Sequence, residues 1–104
     1  MGDLDPADVP ADVEAYVARR FAPADQAAAL ALLHAARVHD GNRPGLRLIR
    51  CAAVASGGSL ERLRMEVETL KRDYRDVLVE GECVPAGRKL VRVRDLNQPI
   101  PEDT

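Results

Sequence analysis

Hydrophobic and polar positions alternate with the period of a helix through the middle of the chain, over residues 59–80. The apolar residues recur there at intervals of three and four, which places them along one stripe of an α-helix. The residues between them are mostly charged, so the opposite face is polar. The pattern predicts one uninterrupted helix, roughly 30 Å long, whose stripe packs in the core. The stripe consists of Leu60, Leu63, Val67, Leu70, Tyr74 and Val77.

Three shorter helices are predicted before this one. Pro10 at a first helical position, with acidic residues in the first turn, favours a helix over about residues 11–21. An Ala- and Leu-rich helix over 24–39 is apolar around much of its circumference, which is typical of a central helix. A third helix opens at Pro44 and ends before Gly57, and Ser59 can then cap the long helix. So short a link predicts that helices three and four are antiparallel.

Beyond Glu80 the pattern weakens. Residues 90–94 alternate like a strand and could pair with 79–84 as a hairpin, but an isolated hairpin is marginally stable. An extended C-terminal tail lying across the helices is therefore the preferred interpretation. The predicted organisation is a flexible acidic lead-in (1–10), a helical domain (11–84) and an extended tail (85–104), basic first and then Pro-containing. The fold class is all-α, with about four helices in two antiparallel hairpins, as a bundle or a short armadillo/HEAT-like layer.

Composition narrows the classes of function. A chain of 104 residues forms one domain. Its net charge of −2 argues against a non-specific nucleic-acid binder. No apolar run is long enough to span a membrane, and the N-terminus lacks the basic and apolar blocks of a signal peptide, so a cytoplasmic location is expected.

Two groups of residues are candidates for metal or catalytic chemistry. Asp73, Asp76 and Glu80 share one face of the long helix, but a hard cation needs oxygen ligands from several directions. A solvated, ion-paired face is the better interpretation, with the ring of Tyr74 in the core. The second group has the elements of a zinc site without its spacing, so neither a metal nor a cofactor is predicted. It comprises Cys51, Cys83, His34 and His39.

Two groups of basic residues are candidates for nucleic-acid contacts. Arg43, Arg47 and Arg50 recur at helical spacing as a basic stripe, and residues 88–94 form a second basic run. No aromatic residues interleave that run to stack on bases. A helix-turn-helix with Arg62 and Arg64 on a recognition helix is opposed by the acidic residues in its first turns and by the net charge.

Three short motifs carry a resemblance. They are Arg50-Cys51, the run from Asp73 through Tyr74, Arg75 and Asp76 to Val77, and Arg94-Asp95-Leu96-Asn97 with Pro99 two residues on. In these motifs the chain resembles a group of small bacterial helical proteins of uncharacterised function. The resemblance covers about the last half of the chain. It implies a shared fold and brings no activity or ligand with it.

The function predicted from sequence is a small protein-interaction or regulatory module without catalysis of its own. This prediction is based on two features of the sequence: it predicts a well-formed hydrophobic core, and its charged faces show no set of acid, base and nucleophile that would converge on one site. The partner would be another protein or a second copy of the chain. Weak nucleic-acid binding through the Arg-rich faces is the alternative, and an enzyme or metal site around Asp73, Tyr74 and Asp76 is a more distant one. The candidate interaction or ligand surface is Asp73, Tyr74, Arg75, Asp76, Arg92 and Arg94.

Overall fold

The computed structural model describes residues 9–104, so the predicted lead-in lies outside the described residues except for its last two. The described chain is mostly helical, which confirms the helical class, but it also contains a two-stranded antiparallel sheet. The elements in order are α1 (Ala11–Arg20), a 3₁₀ turn (Pro23–Asp25), α2 (Gln26–Ala35), α3 (Leu46–Ser56), α4 (Leu60–Arg72), α5 (Tyr74–Glu82), β1 (Cys83–Ala86) and β2 (Lys89–Arg92).

Helix ends follow local capping chemistry. The hydroxyl of Ser59 accepts a hydrogen bond from the Arg62 N–H, as expected for the N-cap of α4. Gly57 ends α3 with a φ of 61°, in the left-handed region that glycine tolerates best. The prediction for α2 was too long: the helix ends at Ala35, and Ala36 has left helical geometry (φ −59°, ψ 143°). The guanidinium of Arg43 donates to the carbonyls of Leu33, His34 and Ala36 at this end.

The long helix predicted over 59–80 is wrong in one respect, because it breaks at Asp73. That residue is extended (φ −158°, ψ 98°), and its carboxylate accepts a hydrogen bond from the Arg75 N–H, so it is the N-cap of α5. Aspartate is a strong N-cap former, and its side chain can satisfy the first N–H groups of a new helix. The break moves Tyr74 off the buried stripe: its side chain is 47% exposed rather than in the core.

The central helix is α3, which packs against all four other helices, and not the Ala-rich second helix that composition favoured. Its buried run Cys51–Ala53 presents small side chains, which lets α5 approach closely. At the contact, a Cβ on Gly81 would lie 2.6 Å from the Cα of Cys51. Glycine is therefore kept inside α5 by the need for close approach to α3, despite its low helix propensity.

The predicted extended tail over 85–104 is replaced in its first part by a β-hairpin. In this hairpin Cys83 pairs with Arg92 and Ala86 with Lys89. Residues 93–104 contain no helix or strand, and two of their apolar side chains, Leu96 and Ile100, are buried against the helices. The all-α description is corrected accordingly.

Candidate functional site

The hairpin β1–β2 exposes apolar side chains. Strand residues alternate between two faces, so Val84, Val91 and Val93 share one face, and they are 39%, 44% and 49% exposed. Leu90 lies on the other face and is 61% exposed. Every residue of β2 is exposed, so this strand contributes nothing to the core. The hairpin and the residue directly after it hold four of the eight large exposed hydrophobic residues of the described chain.

A tight turn sets the register of the hairpin. Gly87 has a φ of 65° at the first central position of the turn, whereas Arg88 has a negative φ, which is the pattern of a type II′ turn. The two-residue loop makes Ala86–Lys89 a hydrogen-bonded pair, so the next pair, Pro85–Leu90, is of the non-hydrogen-bonded kind. Pro85 has no N–H and fits that position without losing a ladder bond.

The two outer edges of the hairpin differ. At a non-hydrogen-bonded pair the backbone groups point away from the partner strand, so the N–H and C=O of Leu90 face the open edge of β2. The corresponding position on the edge of β1 is Pro85, which offers no donor. Within residues 9–104, β2 pairs with no strand other than β1. The edge of β2 is therefore the one able to accept a further strand.

The hairpin is also basic. Residues 83–94 include four cationic side chains and no acidic one. Arg92 pairs with Asp95 (2.9 Å) and lies 3.4 Å from Glu82, and Arg94 donates to the Gly81 carbonyl at 2.9 Å. The remaining two, Arg88 and Lys89, are at the tip of the hairpin, and both are exposed. The accessible charge of the hairpin is thus positive.

Glu82, the last residue of α5, anchors the base of the hairpin. Its carboxylate is buried and accepts two hydrogen bonds from the Arg47 guanidinium, at 2.9 and 2.7 Å, and one from the Leu96 N–H at 2.9 Å. Its backbone carbonyl accepts from the N–H groups of Val93 and Arg94. The hydrogen bonds from Arg47, the largest influence, lower the pKa of Glu82. One residue thereby joins α3, the hairpin and the segment after it.

A second ion pair fastens the last residues to the helices. Arg50, buried in α3, donates to the Asp12 carboxylate at 3.0 Å and reaches the carbonyls of Leu96 and Asn97. Asp12 also accepts from the Ile100 N–H at 2.9 Å. Burial, the largest influence, acts to raise the pKa of Asp12, but the bonds from Arg50 and Ile100 lower it overall.

These contacts change the view of the arginine stripe on α3. Arg47 and Arg50 turn toward carboxylates within the fold, and Arg43 caps α2. The three side chains that were to form a nucleic-acid surface are therefore used inside the domain. Arg50 also holds the backbone at Leu96 and Asn97.

The candidate surface predicted from sequence divides into two places. Asp73, Tyr74 and Arg75 lie at the start of α5, where Arg75 pairs with Asp73 at 3.0 Å. At the other end of α5, Arg92 ends strand β2 and Arg94 follows it two residues later. A shallow cavity of about 260 Å³ at the first place is lined by His39, Arg72, Asp73, Tyr74 and Arg75. Asp76, the remaining residue of that surface, is exposed on α5 and does not line the cavity.

Sequence reasoning missed a carboxyl pair between α4 and α5. Glu66 is 5% exposed, and it lines one groove together with Glu80. A signal was present, because Glu66 stands three residues after Leu63 and four before Leu70, which places it on the buried stripe. Glu82 and Asp12 gave no comparable signal, since their partners are distant in the chain.

Comparison with protein-family models, with curated proteins and with solved structures finds no match to this chain in any of the three. The resemblance to small bacterial helical proteins stays an expectation. In the part of the chain that the structure describes, no helix is both long and apolar enough to cross a bilayer. Those residues also contain no group of three or more His, Cys, Asp or Glu side chains suited to a metal ion.

Proposed function

We propose that the protein is an interaction module without catalysis of its own, and that its docking element is the hairpin β1–β2. The observation that carries this proposal is the exposed edge of β2, which combines unpaired backbone groups with apolar and basic side chains. Proteins usually cover or blunt such an edge, because it is a template for a further strand. A partner segment in extended conformation can add to it and gain main-chain hydrogen bonds.

The charge of the hairpin selects the chemistry of that partner segment. A strand beside β2 lies next to Lys89 and Arg92, and Arg88 is at the tip. Acidic side chains in the incoming strand would be attracted, and aliphatic ones would cover Val91 and Val93. The partner is therefore an acidic, aliphatic segment of another protein.

Two other occupants fit less well. A second copy pairing through the same edge would bring the basic residues of two β2 strands together, and like charges across a strand pair are destabilising. A nucleic acid would satisfy the cations but leave the valines and Leu90 uncovered, and the hairpin has no aromatic ring for base stacking. Arg47 and Arg50 form ion pairs with Glu82 and Asp12 within the domain. The arginine stripe on α3 is therefore not available as the second basic surface for binding nucleic acid.

The experiment is a selection of displayed random peptides on the immobilised full chain, followed by binding measurements with the enriched peptides. We expect enrichment of segments that combine Asp or Glu with Val, Ile or Leu. Leu90→Pro removes the outward N–H and should weaken binding by about tenfold or more, whereas the matched variant Leu90→Thr keeps that N–H and most of the affinity. Reversing the tip charges with Arg88→Glu and Lys89→Glu should select against acidic peptides.

Three results would overturn the proposal. One is the absence of any enriched acidic segment. Another is equal binding of the selected peptides to Leu90→Pro and Leu90→Thr, with circular dichroism showing that both variants are folded. The third is salt-sensitive binding of a single-stranded oligonucleotide where no peptide binds, which would favour the nucleic-acid alternative.

A further inference from the structure

The helices α4 and α5 enclose a groove that the proposed docking element does not use. Its volume is about 300 Å³, and it is lined by Arg62, Met65, Glu66, Thr69 and Glu80. Among the lining residues Glu66 is buried, with 5% of its surface exposed. Glu80 from α5 lines the same groove and is exposed to solvent. The groove therefore presents two carboxyl groups, one buried and one accessible.

The buried carboxyl group is incompletely satisfied. Oε1 of Glu66 has no hydrogen-bond donor among the described residues. Buried carboxyl oxygens normally have a donor, so such an orphan marks the position of a missing partner. The charged groups that face Glu66 are Arg62 from α4 with Glu80 and Asp76 from α5, two carboxylates against one guanidinium. The local excess of negative charge indicates that the missing partner is a cation.

We propose that this groove binds a primary ammonium group, carried by a small amine or by a lysine side chain of another protein. An ammonium has three N–H donors around a compact charge, which suits two carboxyl groups and one orphan oxygen. Its alkyl stem can lie along Met65, whose side chain is 62% exposed. A divalent metal ion fits less well, since it requires more oxygen ligands than these two carboxyl groups provide.

Without a ligand, a proton takes the place of the cation. Burial, followed by the neighbouring Glu80, raises the pKa of Glu66 to about 8. At neutral pH the carboxyl group of Glu66 is thus mostly protonated. When the ammonium enters, that proton leaves to solvent and Glu66 becomes ionised, so the net charge of the groove is unchanged. Affinity should therefore rise with pH up to about pH 8, level off once Glu66 is ionised in the free protein, and fall when the amine loses its own proton, near pH 10.

The test is a titration of the full chain with n-butylammonium chloride and, in a second arm, with a short peptide containing one lysine. We expect saturable changes in the amide NMR signals around Glu66 and Glu80. Calorimetry in two buffers of different ionisation enthalpy should show release of close to one proton per bound amine at neutral pH. Tighter binding of the peptide would identify a protein lysine as the ligand, and tighter binding of the free amine would identify a small molecule.

Variants separate the site from general charge effects. Glu66→Gln mimics the protonated carboxyl group in shape but cannot ionise, so we expect it to fold and to bind the amine at least about tenfold more weakly. The matched control Glu68→Gln alters an exposed residue of the same helix and should bind normally. If Glu66→Gln does not fold, Glu80→Gln provides the same comparison from the exposed side. The proposal is overturned if neither probe binds, or if binding to the Glu66 or Glu80 variant equals that of the wild type.

Discussion

Replacing Arg47 by Met should destabilise the domain and detach the base of the hairpin. Arg47 holds the buried carboxylate of Glu82 with two hydrogen bonds, at 2.9 and 2.7 Å. Methionine keeps much of the aliphatic stem but leaves the carboxylate with the Leu96 N–H and with Arg92 at 3.4 Å. The substitution therefore tests whether this ion pair holds α3, α5 and the hairpin together.

The magnitude follows from the burial of the pair. Removing one partner of a fully buried ion pair costs about 3–5 kcal/mol. The Arg47 side chain is 38% exposed, so solvent screens the interaction, and Arg92 remains as a weaker partner. We therefore expect a loss of about 2 kcal/mol in the free energy of unfolding at pH 7, which corresponds to roughly 8–16 °C in Tm for a domain of this size.

The stability difference between wild type and Arg47→Met should depend on pH. Because the pKa of Glu82 is lowered in the folded protein, mainly by Arg47, the pair stabilises the fold above the unfolded pKa of about 4.3. That stabilisation is lost as the pH falls through the lower folded pKa. The difference between wild type and Arg47→Met should accordingly be largest near pH 7 and should shrink below about pH 4.

Urea unfolding followed by circular dichroism measures this difference, and hydrogen exchange at Val93 and Leu96 reports on the base of the hairpin. The matched control is Arg75→Met, which removes an exposed Arg–carboxylate pair and should leave stability unchanged within error. An equal loss in both variants, or a loss for Arg47→Met that does not vary with pH, would refute the assignment of this pair as the anchor. Unchanged exchange at Leu96 would refute it too.

Two further predictions concern the contact between α3 and α5. Gly81→Ala should destabilise the domain by about 1–3 kcal/mol in thermal or urea unfolding, because the added Cβ meets the backbone of Cys51. The control Gly45→Ala adds a Cβ where there is free space and should change stability far less. A gain in stability for Gly81→Ala would contradict the packing of α5 against α3. Burial raises the pKa of the Cys51 thiol to about 12, so iodoacetamide should label Cys83 in the native protein and Cys51 only after unfolding. Peptide mass spectrometry distinguishes the two sites, and native labelling of Cys51 would contradict its burial.

Local rules in the sequence were sufficient for most helix boundaries. The acidic first turn after Pro10 and the hydroxyl of Ser59 are recognisable in a single sequence, and both lie at helix starts in the structure. Apolar spacing also identified the buried stripe of α4, because the period of a helix is fixed by its backbone geometry. These features depend only on residues within a few positions of one another.

The break at Asp73 could not be derived from spacing. Tyr74 continues the apolar register, so the stripe looks unbroken, although an aspartate at that position can equally begin a new helix. The competition is decided by packing, since α5 must bring Gly81 against α3 and Val77 into the core. Packing also decides why α3, and not α2, is the central helix. Composition shows how apolar a helix is, but it does not show how closely the neighbouring helices can approach it.

The hairpin shows why the candidate site was harder to predict than the core. A two-stranded sheet is marginal by itself, and that rule favoured an extended tail. Here the sheet is held by contacts from residues far away in the chain, above all the bonds from Arg47 and Leu96 to Glu82. Because these anchors are polar and lie at the base, no residue of β2 needs to be buried for the hairpin to keep its place. An element held in this way keeps both its faces and one edge exposed to solvent. The variant Arg47→Met should therefore weaken peptide binding at the hairpin even though Arg47 lies outside the strand edge, whereas the variant Arg75→Met should bind peptides normally.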